Sequence, residues 1–150
     1  MKTTAQTLAT ITGARIGEVG NITPECISSN SEGRLICHFD GLQQHTKIGR
    51  SRDALIALKN EQQLLDLING LDPLKPIVDE VPKNLNTHDC RKQYAADLYH
   101  ELASDKPASI YRSKLRNKNY DREALKPVTD SLGFDANHPG VVVKTFGSDM

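Results

Sequence analysis

What most restricts this chain is the shortness of its apolar runs: the longest, Ala54-Leu55-Ile56-Ala57-Leu58, has five residues, and the next, Val141-Val142-Val143, has three. A membrane-spanning helix needs about 20, so no transmembrane segment is expected. The core must instead be assembled from short amphipathic pieces. At 150 residues the chain has the length of one domain, able to bury roughly two-thirds of its unfolded surface without disulfides or a metal. Hydrophobic residues at 37% and a mean hydropathy of −0.49 fit a wet but globular protein. Cys26, Cys37 and Cys90 are odd in number and widely spaced, and no apolar signal core follows Met1-Lys2-Thr3. Those features predict a reducing, cytoplasmic setting with no disulfide framework, metal or cofactor.

Turn and capping residues divide the chain into elements. Thr3 to Thr12 is predicted as a short helix stopped by Gly13, and Ala14 to Val19 as a second start running into Gly20. From Cys26 to Ile56 the pattern becomes strand-like, with Asn30-Ser31-Glu32-Gly33 and Asp40-Gly41 as turns, and predicts a small antiparallel meander. Asn60 is placed to cap a helix over Glu61 to Ile68, and a connector bearing Pro73, Pro76 and Pro82 follows. Thr87 opens the clearest helix, whose apolar stripe is Cys90, Tyr94, Ala95, Leu98, Tyr99 and Leu102. Ser104-Asp105-Lys106-Pro107 predicts a further short helix through Tyr111 and Leu115. Asp121 is placed to cap a last helix to Leu132, stopped by Gly133, with Pro127 expected to kink it. The fold expected is a single domain over residues 1–150, mainly α with a small antiparallel β-sheet (α+β).

Nineteen Lys plus Arg balance nineteen Asp plus Glu. A nucleic-acid role would therefore rest on local clusters rather than on net charge. Such clusters occur at Lys47, Arg50 and Arg52, at Arg91 and Lys92, and at Arg112, Lys114, Arg116 and Lys118. A solvated basic face is the ordinary alternative.

The polar residues arrive in an order that resembles the catalytic domain of the tyrosine recombinase (phage integrase) family. Thr12-Gly13-Ala14-Arg15-Ile16-Gly17-Glu18-Val19 looks like the first arginine box, with a Glu three residues after the arginine. Lys47-Ile48-Gly49-Arg50-Ser51-Arg52, leading into an apolar strand, resembles the family's β-hairpin lysine motif. His88-Asp89-Cys90-Arg91 resembles the His-x-x-Arg box, and the helix ending in Leu132-Gly133 looks like the one before the last active-site imidazole. Singly, these residues have ordinary roles: Arg15 with Glu18 as a helix ion pair, His88 as a polar helix start, Lys47 as a solvated hairpin tip. Their joint order carries the resemblance.

The resemblance implies DNA integration and recombination on double-stranded DNA, with other recombinase protomers as further partners and no membrane or metal. Arg15 and Arg91 would clamp the two non-bridging phosphate oxygens, because forked guanidinium donors match that charge. Lys47 would protonate the leaving 5′-oxygen and His88 would assist at the nucleophile. Glu18 would hold the Arg15 side chain, and Arg50, Arg52, Lys92, Arg112, Lys114 and Arg116 would contact DNA. Two positions depart from the family pattern. Phe134 stands where an imidazole is usual, with His138 on the following loop as a replacement candidate, and Phe146 stands where the nucleophilic tyrosine is expected. A phenyl ring has no oxygen to attack phosphorus, so cleavage by this chain alone is not expected. Only fourteen residues precede Arg15, so the separate helical DNA-binding domain of the family is not expected in this sequence. A non-catalytic DNA-binding or recombinase-interacting module and an inactive remnant of a mobile element are the alternatives.

Overall fold

The computed structural model describes residues 3–41, 51–135 and 137–150. The first helix, α1 (Thr4–Thr12), is closed at its start by a reciprocal cap: Thr3 Oγ1 accepts from the Gln6 amide at 3.2 Å, and Gln6 Oε1 accepts from the Thr3 amide at 2.9 Å. It ends at Gly13, whose φ of 69° lies in the left-handed region. Its buried face, Leu8, Ala9 and Ile11, packs on α4 (Thr87–Leu102), the long helix predicted from its stripe. Cys90, Tyr94, Ala95, Leu98 and Tyr99 are all buried there, and the Asn86 side chain caps the helix by accepting from the Asp89 amide. A Cβ at Gly13 would come within 2.7 Å of the Tyr94 ring. Gly13→Ala is therefore expected to lose about 2–4 kcal/mol, from the left-handed backbone and from overpacking together, as a lowered urea midpoint with unchanged slope.

Between these helices in sequence lie α2 (Ile16–Val19) and a three-stranded antiparallel sheet of β1 (Ile27–Ser29), β2 (Leu35–Phe39) and β3 (Arg52–Leu55), in that spatial order. This is the predicted meander. The two-residue period sorts the faces: Cys37, Phe39, Arg52 and Ala54 point inward, while His38 and Asp53, paired across β2 and β3, point to solvent. Tyr94 ties α4 to the sheet, its hydroxyl donating to the Leu55 carbonyl at 2.5 Å. Helix α3 (Glu61–Ile68) forms as predicted, but not with the predicted cap. Asn60 has helical backbone angles at the end of a 3₁₀ turn, and its amide donates to Asp97 instead.

The short helix expected through Tyr111 and Leu115 is replaced by a second antiparallel pair, β4 (Ile110–Ser113) and β5 (Lys118–Asp121). Ile110, Tyr111 and Tyr120 favour a pleated strand, and Asn117, with φ 49°, takes the left-handed turn position that closes the hairpin. Tyr120 is fully buried opposite Tyr111, whereas a helix here would leave it without a core. Asp121 then caps α5 (Arg122–Ser131), accepting from the Glu123 and Ala124 amides, and the helix continues through Pro127 before Gly133 turns the chain at φ 88°. The last helix is α6 (Gly140–Phe146), with Val142, Val143 and Phe146 buried. The whole is an α+β arrangement with two small sheets rather than one. Among the described residues no helix is long and apolar enough to cross a membrane.

Candidate functional site

Four segments distant in sequence meet where α1 ends, α4 begins, β3 passes and α5 ends. Because α1 stops at Gly13, Arg15 stands in extended backbone as the residue that starts α2, and its amide donates to Glu18 Oε1 at 2.7 Å. The Arg15 side chain leaves along the end of α5, where Nη2 donates to the Leu132 carbonyl at 3.2 Å. From the second turn of α4, Arg91 reaches the same oxygen through Nη2 at 2.7 Å, and its Nη1 donates to the Gly13 carbonyl at 2.7 Å. Two guanidiniums thus converge on one acceptor. Gly133 makes room for this approach, since a Cβ there would lie 3.1 Å from both terminal nitrogens of Arg15.

A third guanidinium stands behind them. Arg52 is 9% exposed, pairs with Glu18 through two bonds of 2.6 and 2.9 Å, donates through Nε to the Ser131 carbonyl at 3.0 Å, and lies 4.1 Å from the centroid of the Phe39 ring. This corrects two expectations. Glu18 holds the Arg15 backbone and the Arg52 side chain, not the Arg15 side chain, and Arg52 is internal rather than a DNA contact. The signal for Arg52 was present in the sequence, because it shares the two-residue period of Ala54 and Ile56 and so belongs to the inward face of a strand.

Among the described residues, one carboxylate faces three guanidiniums here, and the electrostatic strain is visible. Burial first, then Arg15 and Arg52, hold the Arg91 guanidinium well below its ordinary range, with Glu18 opposing. Arg15 is lowered by burial and then by Arg52, again against Glu18. An oxyanion entering here would replace lost hydration and relieve repulsion at the same time.

Aromatic rings roof the cluster. The Phe134 centroid lies 5.7 Å from Arg15 Cζ and 5.9 Å from Arg91 Cζ, and the Phe146 centroid lies 5.6 Å from Arg91 Cζ. The exposed His88 ring stands 5.3 Å from that of Phe146, which is 3% exposed. Both phenylalanines therefore adjoin the guanidiniums, but a ring face offers a cation only quadrupole attraction and no proton or lone pair.

The described residues among the other predicted site positions fall elsewhere. Lys47 and Arg50 lie outside the described residues. His138 is exposed and pairs with Asp135 at 3.0 Å rather than with the guanidiniums. Lys92 lies 3.6 Å from Asp149. Arg112 and Lys114 are exposed on the β4–β5 hairpin. Arg116, predicted as a DNA contact, instead donates to the Val143 and Lys144 carbonyls and fastens that hairpin to the last turn of α6. The carbonyls of Gly13 and Leu132, which organise the cluster, had no signal in the sequence beyond the glycines beside the two chain turns. Among the described residues no group of three His, Cys, Asp or Glu side chains is arranged to hold a metal. No family model, curated protein or solved structure matches the chain.

Proposed function

We propose that this chain is a tyrosine-recombinase-type domain acting in DNA integration and recombination in a reducing cytoplasmic setting, which grips a DNA phosphate between Arg15 and Arg91 and does not itself cleave the strand. The observation that carries this reading is the convergence of both guanidiniums on the Leu132 carbonyl oxygen, with a third guanidinium behind them and one carboxylate among the three. Two guanidiniums meeting at one oxygen are spaced to share a single acceptor, which supports a phosphate oxygen as their ligand. In an in-line displacement, charge accumulates on those oxygens, and fixed donors that need no reorganisation stabilise it. Phe146 supplies no attacking oxygen and Phe134 no donor, so the site retains the charge-neutralising part of the chemistry without the nucleophilic part. The burial of Phe146 against the clamp also favours a binding role, in which the same face holds DNA or a full-length recombinase without bond cleavage.

Sulfate is the simplest probe. At constant ionic strength against chloride, saturating sulfate is expected to raise the melting temperature by several degrees, since a free concentration of 100 times the dissociation constant adds about 2.7 kcal/mol. Arg91→Ala should abolish the shift and weaken duplex DNA binding at least tenfold. Equal shifts in sulfate and chloride, or duplex binding unaffected by Arg91→Ala, would remove the basis of the reading.

A further inference from the structure

A cavity of about 340 Å³ lies between the β4–β5 hairpin and α6, at the lower end of the size range of small-ligand sites. Its charge is one-sided: Arg112, Lys114 and Lys144 line it, and no carboxylate does. None of these three cations forms an ion pair among the described residues. Arg112 is instead held by neutral acceptors, the side-chain oxygens of Asn117 at 2.6 Å and Asn119 at 3.3 Å. Such bonds orient a guanidinium without neutralising it, which leaves its charge for a partner. The walls are fixed relative to each other, because Arg116 clips the hairpin to the carbonyls of Val143 and Lys144.

The remaining lining supplies flat and apolar surface. Tyr111, half-buried, forms one side with Arg122 Cζ 5.7 Å from its ring centroid, and Leu115 at the hairpin turn is 70% exposed. The floor is narrow, since a Cβ at Gly140 would lie 2.8 Å from the Tyr111 hydroxyl oxygen. A cationic groove beside an aromatic ring is the combination that follows a sugar–phosphate backbone while a base rests on the ring. A duplex presents its bases stacked inside a wide cylinder, and neither that cylinder nor its buried bases can enter a concavity of this size.

We propose that the groove between the β4–β5 hairpin and α6 binds a single nucleic-acid strand, with phosphates on Arg112, Lys114 and Lys144 and a base against Tyr111 and Leu115. This goes beyond the clamp reading and uses none of its residues. Fluorescence anisotropy with a labelled oligothymidylate, and with a duplex of the same length, tests it at low salt. In the Arg91→Ala protein, where the clamp no longer holds duplex, the strand is expected to bind more tightly than the duplex, with a log–log salt slope of about −2 for three displaced counterions. Lys114→Gln with Lys144→Gln should weaken strand binding at least tenfold and flatten the slope. Tyr111→Ala should weaken it by about 5- to 150-fold, the range for loss of one stacked base. Gly140→Val should close the groove and lose strand binding with every cation in place, circular dichroism confirming that each variant is folded. Arg91→Ala, which removes the clamp, should leave strand binding unchanged, so failure of this proposal is read separately from the sulfate shift. Duplex binding as tight as strand binding in the Arg91→Ala protein, no change in the lysine or tyrosine variants, or loss of strand binding in Arg91→Ala would overturn it.

Discussion

Phe146→Tyr combined with Phe134→His is expected to give a covalent protein–DNA adduct on a nicked suicide duplex at low salt, where the unaltered protein gives none. The Phe146 ring already adjoins Arg91 and the His88 imidazole, so the substitution adds one oxygen to an assembled cluster. A hydroxyl buried there needs a partner, and the guanidiniums or the imidazole supply one, so the variant should fold. In the step itself the tyrosine oxygen attacks phosphorus and gives up its proton, in the family resemblance with His88 assisting, while the bond to the 5′-oxygen breaks and that oxygen takes up a proton, in the family resemblance from Lys47. Phe134→His places a donor beside Arg15 and Arg91. A single donor of this kind is worth about 2.7–4 kcal/mol in the transition state, so the double variant should react about 10²–10³ times faster than Phe146→Tyr alone. Adding Arg91→Ala should erase the adduct. A denaturing gel shift decides the matter: an adduct from the unaltered chain would mean that the nucleophile lies elsewhere, and none from the double variant despite intact duplex binding would mean that the cluster does not support transfer.

The second large effect is on stability. Glu18 is fully buried and is the carboxylate that Arg52 meets with two short bonds. Removing one partner of such a pair leaves an uncompensated charge in a low-dielectric site and costs about 3–5 kcal/mol. Glu18→Ala is therefore expected to lower the melting temperature by about 6–20 °C for a chain of this size. Sulfate should recover more of this loss than of any loss in Arg52→Ala, because Glu18→Ala leaves three cations needing an anion and Arg52→Ala leaves two. Replacing both residues by apolar ones, as in Glu18→Leu with Arg52→Met, should cost less than Glu18→Ala alone. If Glu18→Ala melts within a degree of the unaltered protein, the pair is not what holds β3 to α2.

How much of this was legible in the sequence depends on the range of the interactions involved. Helix α4 and its buried face were legible because six stripe residues share one period, and α1 and α5 because Thr3, Gly13, Asp121 and Gly133 act on neighbouring backbone. The β4–β5 hairpin was missed because Ser104-Asp105-Lys106-Pro107 resembles a helix start, while the preference for strand comes from burying Tyr120 against Tyr99 across the chain. The capping role assigned to Asn60 failed for the same kind of reason, since Asp97 on α4 takes its amide.

The sequence by itself determined the spacing of the charged groups along the chain and the local signals that start and stop each helix, because capping, turn geometry and periodicity act over a few residues. It also determined that residues 134 and 146 carry rings without oxygen or nitrogen. Only the tertiary structure decided which charges meet. That Glu18 pairs with Arg52 rather than with the Arg15 side chain, that Arg116 braces α6 instead of facing outward, and that Arg15 and Arg91 share the Leu132 carbonyl all depend on contacts between segments far apart in sequence. A buried guanidinium takes whichever acceptor the packed backbone presents, and no property of its own sequence neighbourhood names that acceptor.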